Sequence, residues 1–487
     1  MKLQKLVSNI REKQLIGNPD IEITEVATHS RKVVPGALFI CIEGFRVDGH
    51  NYINEAIQSG AKAILISKDV PILPSITYIK VPDSKQVIST IADTFYNSPS
   101  SKLKLIGITG TNGKTTTAYL IESILNAANY KPARISTISY KIGESETPSV
   151  QTTPEALELQ RILAQAVESA ATHVVMEVSS HALALHRTSN CNFDTAIFTN
   201  ISQEHLDFHL TMEDYLTSKI KLFKELASSS IAIINIDDEY AQEVISNTQA
   251  KIITYGLSDK AQIYASDIES NKNRTAFFLS GQPPTQINLK LIGLHNVYNA
   301  LAAIAYGVVE QIDIQTIKEG VENLQKVRGR FELIDRGQNF TVVIDYAHTP
   351  DGLENVLLSS KKLNPKRIIT VFGCGGDRDK EKRPQMGKVS TTLSDWTILT
   401  TDNPRTEDQE KIIKEIEAGV KGKSYEVIVD RTQAIIKALN YAKEGDLVLI
   451  AGKGHETYQI FKDKTIHFDD REVVEDILRH PNTRQPE

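Results

Sequence analysis

The stretch "KLIGITGTNGKTTTAYLIESIL" (104–125) leaves a chain few ways to fold. A β-branched apolar run enters a turn whose two glycines, Gly110 and Gly113, are separated by two polar residues. A helical pattern follows at once. Ala118, Ile121, Leu125 and Ala128 fall on one helical face, as a helix packed on a sheet requires. Strand, tight turn and helix in this order open an α/β layer structure with a largely parallel sheet.

The same alternation recurs elsewhere. "GALFICI" (36–42), "KAILIS" (62–67) and "ITYIKV" (76–81) read as strands of a first unit. "THVVMEV" (172–178), "TAIFTN" (195–200) and "IAIINI" (231–236) continue the second. A third series comprises "VVIDYA" (342–347), "RIITVFG" (367–373), "WTILTTDNP" (396–404) and "DLVLIAGKG" (446–454). Each strand of this third series runs into a polar or glycine-rich turn, where ligands of open α/β sheets gather. With 487 residues the chain exceeds one ordinary core. The polar segment "FYNSPSSKLK" (95–104) and "VRGRFE" (327–332) are the expected junctions. The expected domains are therefore 1–100, 101–329 and 330–487.

Composition excludes several classes. A net charge of −6 argues against a nucleic-acid protein. Cys41, Cys191 and Cys374 lack CxxC spacing, so neither a disulfide framework nor a zinc site is expected. Cys374 has no evident histidine partner and reads as structural. The start "MKLQKLVSNIREKQ" has no apolar leader core, and no stretch approaches the ~20 apolar residues of a membrane span. A cytoplasmic protein is expected. "HETYQ" (455–459) lacks the second histidine of the zinc-protease motif, and "GCGGDR" (373–378) lacks the third glycine of a dinucleotide fingerprint.

The glycine turn is the strongest chemical signal. Backbone N–H groups across Gly110, Thr111, Asn112, Gly113, Lys114, Thr115 and Thr116 would face an anion at a helix N-terminus. Lys114 adds a positive charge, and the Thr115 hydroxyl is placed for Mg²⁺. The usual G-x-x-x-x-G-K-[ST] spacing wants glycine at 108, where this chain has Ile108; its loop is the shorter G-x-x-G-K-T-T.

That short loop resembles the ATP-binding loop of the Mur ligase superfamily, ATP-dependent ligases that assemble the bacterial cell-wall peptide. "EVSSHAL" (177–183), "NISQEHLDFH" (200–209), "HNVYNALAA" (295–303), "VRGRFE", "DYAHTPDGL" (345–353), "VFGCGGDRDKEKRP" (371–384), "DNPR" (402–405) and "AGKGHETYQ" (451–459) match in the family's order, over essentially the whole chain. The resemblance implies three α/β domains. They are an N-terminal one for a uridine nucleotide, a central P-loop ATPase, and a Rossmann-like C-terminal one closing on the incoming amino acid. It implies Glu177, Thr115 and His205 as Mg²⁺ ligands. Lys219 in "YLTSKIKLF" would be carbamylated by CO₂ to complete a second metal site, whereas the residues alone read as an exposed helix lysine beside Lys221. Asn296 and Asn299 would meet the adenine end of ATP, and Arg330 and Asp345 its phosphates and ribose.

For the sugar-nucleotide peptide, the resemblance points to Ser30, the "GFRVDGHNY" turn (44–52), Thr152, Thr153, Ser180, Arg187 and His348. The family often has Asp before that serine; here it is His29. The last three motifs resemble the branch that adds the third peptide residue. They imply transfer of the ATP γ-phosphoryl group to the D-glutamate side-chain carboxylate of UDP-N-acetylmuramoyl-L-alanyl-D-glutamate, followed by attack of an amine. Pro404 fixes the DNPR turn, and Arg405 can offer a carboxylate two parallel hydrogen bonds. Arg383, Asp402, Asn403, Gly452 and Glu456 complete a site expected to prefer meso-2,6-diaminopimelate over L-lysine, which lacks the distal carboxylate. A folylpolyglutamate synthetase-like ligase and a non-ligating P-loop ATPase are the alternatives. The expected partners are these small molecules, with a monomeric chain.

Overall fold

The apolar runs become strands, and the computed structural model describes them within residues 1–44, 47–281, 284–422 and 424–479. Residue contacts divide the chain into two units, Met1–Gly107 with Tyr130–Ala196 and Lys221–Ile231, and Ile108–Asn129 with Ile197–Ile220 and Ala232–Glu487.

In the first unit a five-stranded sheet runs in the order Gln14–Ile16, Thr77–Lys80, Ala63–Ile66, Leu38–Ile40, Val26–Ala27. All pairs are parallel except the one made by Gln14–Ile16. Side chains alternate along each strand, so the sheet buries two faces. Leu38, Ile40, Ala63, Leu65 and Ile79 enter one core; Phe39, Ile64, Ile66 and Tyr78 enter the other. Helix Ser84–Phe95 is capped by Asp83, whose carboxylate accepts the Lys85 N–H at 2.8 Å.

The segment expected as a linker packs firmly. Pro99–Lys102 is a 3₁₀ turn with Pro99 and Ser100 buried, and the Ser100 hydroxyl accepts the Asn192 N–H at 3.2 Å. Its polar residues find partners ninety positions downstream, which no local pattern shows. In the same unit His173–Glu177 pairs parallel with Pro132–Ile135, which continues into the antiparallel hairpin Ser139–Ile142 and Ser145–Pro148.

In the second unit, strands Ile263–Ser270, Thr275–Leu279 and Thr285–Leu289 form an antiparallel meander that the sequence reading had not identified. Helix Lys114–Ala127 buries Ala118, Ile121 and Leu125 as its periodicity requires. Helix Leu294–Val309 is apolar almost all round and correspondingly buried.

A six-stranded sheet follows, ordered Glu332–Ile334, Thr341–Asp345, Leu447–Ala451, Ile368–Phe372, Trp396–Leu399, Tyr425–Val427. Only its first strand is antiparallel. Leu353, Leu357, Met386, Ile412 and Ile416 from three helices cover one face; Ala434, Ile435, Leu439, Val474 and Leu478 cover the other. The chain steps outward along the first face, then returns along the second to insert Leu447–Ala451 between two earlier strands. That reversal opens a crevice at the carboxyl ends. Asp345, Gly373, Asp402 and Gly452 lie at or just beyond those ends. Among the described residues no helix is long and apolar enough to cross a membrane.

Candidate active site

The glycine turn is shaped by what surrounds it. Gly110 has φ +147°, and a Cβ there would lie 1.9 Å from Thr199 Oγ1. Gly113 has φ +88°, and its Cβ would lie 2.3 Å from Asn299 Oδ1. Neither position tolerates a side chain. Asn112 N–H donates to Asn200 Oδ1 at 2.9 Å, and the Asn112 amide reaches Asp351 at 2.6 Å. The Lys114 ammonium folds back on the Gly110 and Thr111 carbonyls, both at 2.7 Å.

A second lysine meets the same carbonyl. Lys219, 2 % exposed, donates to Gly110 O at 2.8 Å and lies 4.5 Å from the Tyr215 ring centroid. Burial, and then the neighbouring Lys114, hold its ammonium well below the ordinary lysine range, against the pull of Glu204. The structure therefore presents a poorly solvated amine, while Lys221 stays partly exposed.

Glu204, absent from the sequence expectations, is the hub beside it. Its carboxylate lies 3.0 Å from His348 Nε2, 3.5 Å from His205 Nε2 and 3.4 Å from the Tyr215 hydroxyl. Burial opposes its ionisation, but His205, His348 and Lys114 together hold it well below the usual carboxylate range. His205 is in the left-handed region at φ +59°, strain that a surface turn has no need to keep. His348 Nδ1 lies 2.9 Å from the Tyr346 carbonyl.

Arg330 stacks 4.7 Å over the Tyr346 ring and donates to Thr115 Oγ1 at 3.0 Å, joining "VRGRFE" to the glycine turn. Asp345 accepts the N–H groups of Phe331 and Ala347 at 2.6 and 2.7 Å, so both oxygens anchor backbone. Asn299 donates to Asn296 Oδ1 at 3.0 Å, and Asn296 to Ile292 O at 2.8 Å. The predicted pair on one helical face is thus a real buried couple.

At the crevice, Asn403 donates to Glu456 Oε2 at 2.8 Å. Arg405 adopts φ +53° and donates to Gly376 O at 2.8 Å. Gly452 lies against Asp402, whose Oδ2 would be 2.9 Å from a Cβ there. Burial pushes Asp402 up, yet Lys453, Arg431, the Asn403 N–H and Arg405 bring it below the ordinary value. Arg383 departs from expectation. It is fully buried, and its guanidinium is held by Glu407 at 2.9 and 3.0 Å and Glu415 at 2.5 Å. The sequence reading counted a cation without the two acids that meet it. Cys374 is buried against Met386, and burial pushes its thiol up to about 12, as suits a structural cysteine.

In the first unit the remaining candidates gather. Glu177, 1 % exposed, accepts the Thr137 N–H at 2.8 Å and its hydroxyl at 3.0 Å. Thr152 lies 3.1 Å from that hydroxyl, and the Thr153 hydroxyl donates to Glu177 O at 2.8 Å. Arg187 pairs with Glu155 at 2.6 Å and donates to the Thr153 carbonyl at 3.1 Å. The buried Ser180 hydroxyl has no hydrogen-bond partner among the described residues. Ser30 begins a 3₁₀ turn, and His29 Nδ1 accepts the Arg31 N–H at 3.2 Å, capping that turn. In the "GFRVDGHNY" turn, Phe45 and Arg46 lie outside the described residues.

Magnesium takes oxygen ligands. Thr115 and Glu177 supply them. His205 adds an imidazole, and Lys219 would fit only once its amine carried a carboxylate. Each of these groups is of a type that suits Mg²⁺ beside phosphate oxygens, and among the described residues no group of three or more His, Cys, Asp or Glu side chains could hold a metal ion. Glu204, Asp351 and Lys453 escaped the sequence reading because each looks like an ordinary polar turn residue; only their partners distinguish them.

Three family descriptions match: Mur ligase family, catalytic domain, over 22–96; Mur ligase middle domain over 108–307; and Mur ligase, glutamate ligase domain, over 329–454. The UDP-N-acetylmuramoyl-L-alanyl-D-glutamate–2,6-diaminopimelate ligase of Caldanaerobacter subterraneus subsp. tengcongensis is 46% identical over 481 residues, covering 98% of this chain and 99% of that protein. A solved structure of a ligase with that name has a TM-score of 0.69 at 31% identity, covering 99% of each chain. The MurF ligase of Thermotoga maritima in complex with ADP shares the fold, with a TM-score of 0.66 at 18% identity, covering 96% of this chain and 99% of that one. With near-full-length identity of this order, the chain belongs to the Mur ligase family.

Proposed function

We propose that the protein is an ATP-dependent ligase of peptidoglycan precursor synthesis. It joins meso-2,6-diaminopimelate to the D-glutamate side-chain carboxylate of UDP-N-acetylmuramoyl-L-alanyl-D-glutamate. One observation carries this reading: a phosphate loop crowded by two lysines is tied through Arg330 and His348 to a strand-end crevice bearing Asn403, Arg405 and Glu456. The names of the full-length relatives support it.

The substrate carboxylate oxygen attacks the γ-phosphorus of ATP and ADP departs, leaving an acyl phosphate. The neutral amine then adds to the acyl carbon, and phosphate leaves as the amide forms. Such chemistry needs positioning and charge neutralisation rather than a nucleophilic side chain. The turn's N–H groups and Lys114 hold the phosphates, and Arg330 is placed to swing from Thr115 onto them. Asn296 and Asn299 serve the adenine end, and Asp345 holds the Arg330 segment. Ser30, Thr152, Thr153, Ser180, Arg187 and His348 orient the sugar-nucleotide peptide. Mg²⁺, held by Thr115, Glu177, His205 and carbamylated Lys219, would neutralise phosphate charge.

The three domains 1–100, 101–329 and 330–487 belong to the same reading, supported by the spans of the three family matches. So do a monomeric state and a cytoplasmic setting. The saturation of Arg383 by Glu407 and Glu415 leaves Arg405 and Asn403 as donors to a distal carboxylate, and this observation keeps the L-lysine reaction as a second reading.

Phosphate release is measured with the dipeptide substrate and ATP, adding diaminopimelate, L-lysine or neither. Release dependent on diaminopimelate, with a product of the tripeptide mass, is expected. Turnover indifferent to both amino acids sinks the ligase reading, and equal use of the two sinks only the selectivity. Carbamylation is tested by ¹³C-bicarbonate NMR, in which the carbamate resonance disappears in Lys219→Met.

A further inference from the structure

Lys453 has a fully buried side chain, and the reaction proposed above gives it no role. A lysine ammonium is costly to bury unless its donors are met. Here its Nζ lies 3.1 Å from Asn403 Oδ1, 3.1 Å from Glu456 Oε2 and 5.6 Å from the Tyr458 ring centroid. Asn403 Oδ1 also accepts the Ile460 N–H at 3.0 Å. Two donors, the Lys453 ammonium and the Ile460 N–H, therefore fix which end of the Asn403 amide is oxygen. A flipped amide would turn its NH₂ against both and leave the Lys453 charge facing a donor.

The consequence lies on the other side of the amide. With the oxygen locked inward, Asn403 presents only N–H, one bond going to Glu456 Oε2 at 2.8 Å. Glu456 Oε2 is then filled by Asn403 and Lys453, which leaves Oε1 as its acceptor for a ligand. Burial, and then Asp402, push Glu456 toward its neutral form, and Lys453 opposes them. One ammonium thus acts on both members of the pair, turning the Asn403 N–H groups outward and opposing the neutral form of Glu456.

We propose that Lys453 is a positioning and specificity-determining residue, which fixes Asn403 to donate to the distal carboxylate of the incoming amino acid and Glu456 to accept from its distal ammonium. This rests on the ligase reading above. A ligand carrying both groups on one carbon satisfies both ends; a ligand with the ammonium alone leaves the locked Asn403 donor buried and unpaired.

The test uses the full chain and compares wild type with Lys453→Met, an uncharged side chain of similar length. Steady-state constants are taken for diaminopimelate, L-lysine, ATP and the dipeptide substrate. In Lys453→Met the KM for diaminopimelate should rise about 10- to 100-fold, and the preference over lysine should fall by at least about 10-fold. The KM values for ATP and the dipeptide should stay within about twofold. A structural role alone would move all the constants together with thermal stability. Should Lys453→Met fail to fold, Lys453→Gln keeps a donor for Asn403 without the charge and should show the same pattern, weaker. Unchanged diaminopimelate KM and selectivity in the folded variant, beside an active wild type, overturn this proposal alone. A wild type whose ATP turnover ignores both amino acids overturns the ligase reading and this proposal with it.

Discussion

The glycine turn at 110–116 and the crevice at 402–405 with 452–456 handle charge in opposite ways. At the turn, Lys114 and Lys219 press on one carbonyl, Gly110 O, and the two ammoniums disfavour each other's charge while Glu204 favours that of Lys219. At the crevice three cations already have an acid: Lys453 has Glu456, Arg383 has Glu407 and Glu415, Arg431 has Asp470. Crowded cations of the first kind repel one another and suit an incoming polyanion. Cations clamped by their own acids are held in place and suit the shape and polarity of a zwitterion. The crowding costs stability; the clamped pairs cost less and discriminate.

The largest test of that contrast is Lys114→Met. Losing an electrostatic donor to the transferring group should lower kcat/KM by about 10³-fold in the phosphate-release assay, with thermal stability unchanged or higher. A fall below about tenfold would break the contrast at the turn. Arg383→Met should do the reverse. Leaving Glu407 and Glu415 unpaired should cost about 3–5 kcal/mol in denaturant unfolding. A variant as stable as wild type would show that the crevice is not held by its ion pairs.

Gly113→Ala places a side chain at φ +88° against Asn299. A penalty of about 1–3 kcal/mol is expected, seen as weakened ATP binding by calorimetry ahead of any change in the C-terminal sheet. Unaltered nucleotide affinity would mean that the Gly113–Asn299 approach does not shape the loop.

The smallest effects are those of pH, and they have opposite signs in the two regions. The Lys219 ammonium is depressed when folded, so below the ordinary lysine range the unfolded chain binds more protons. Its contribution is present at alkaline pH and is lost as pH falls toward the depressed value. Lys219→Met should flatten that slope by up to about 1.4 kcal/mol per pH unit, read from denaturation midpoints across pH 7–10. Glu456 is raised, so its contribution is present below the ordinary glutamate value and is lost as pH climbs through the raised one. Glu456→Gln should remove a shallow loss of stability in that acidic window, and the same slope in wild type and variant would count against the assignment.

Much of the fold could be read from residue pattern. All eleven expected strands form, nine of them within two residues of their runs at both ends, because burial on both faces of a parallel sheet demands continuous β-branched stretches; those at 396–404 and 446–454 stop at Leu399 and Ala451, before the turns their runs include. The meander at 263–289 escaped because its strands face solvent on one side and carry polar residues at alternate positions. The site was legible where one local segment makes it. Gly110 to Thr116 lie in one short segment between a strand and a helix, a pattern visible in the residues, although Thr199, Asn200 and Asn299 shape the turn from afar. The pairing of Arg383 was not visible in the sequence because its acids come from a turn 24 residues and a helix 32 residues further on.

By itself, then, the sequence determined where strands and helices lie, where the phosphate turn sits, and which polar residues stand at strand ends, since these follow from periodicity and backbone sterics within short windows. Tertiary structure decided what each charge does. Whether a lysine is solvated, stripped like Lys219 or clamped like Lys453 depends on distant groups brought within about 3–4 Å, where the local dielectric sets the energy of every charge. Proximity of that kind is made by the packing of the sheets, and no stretch of residues holds it alone.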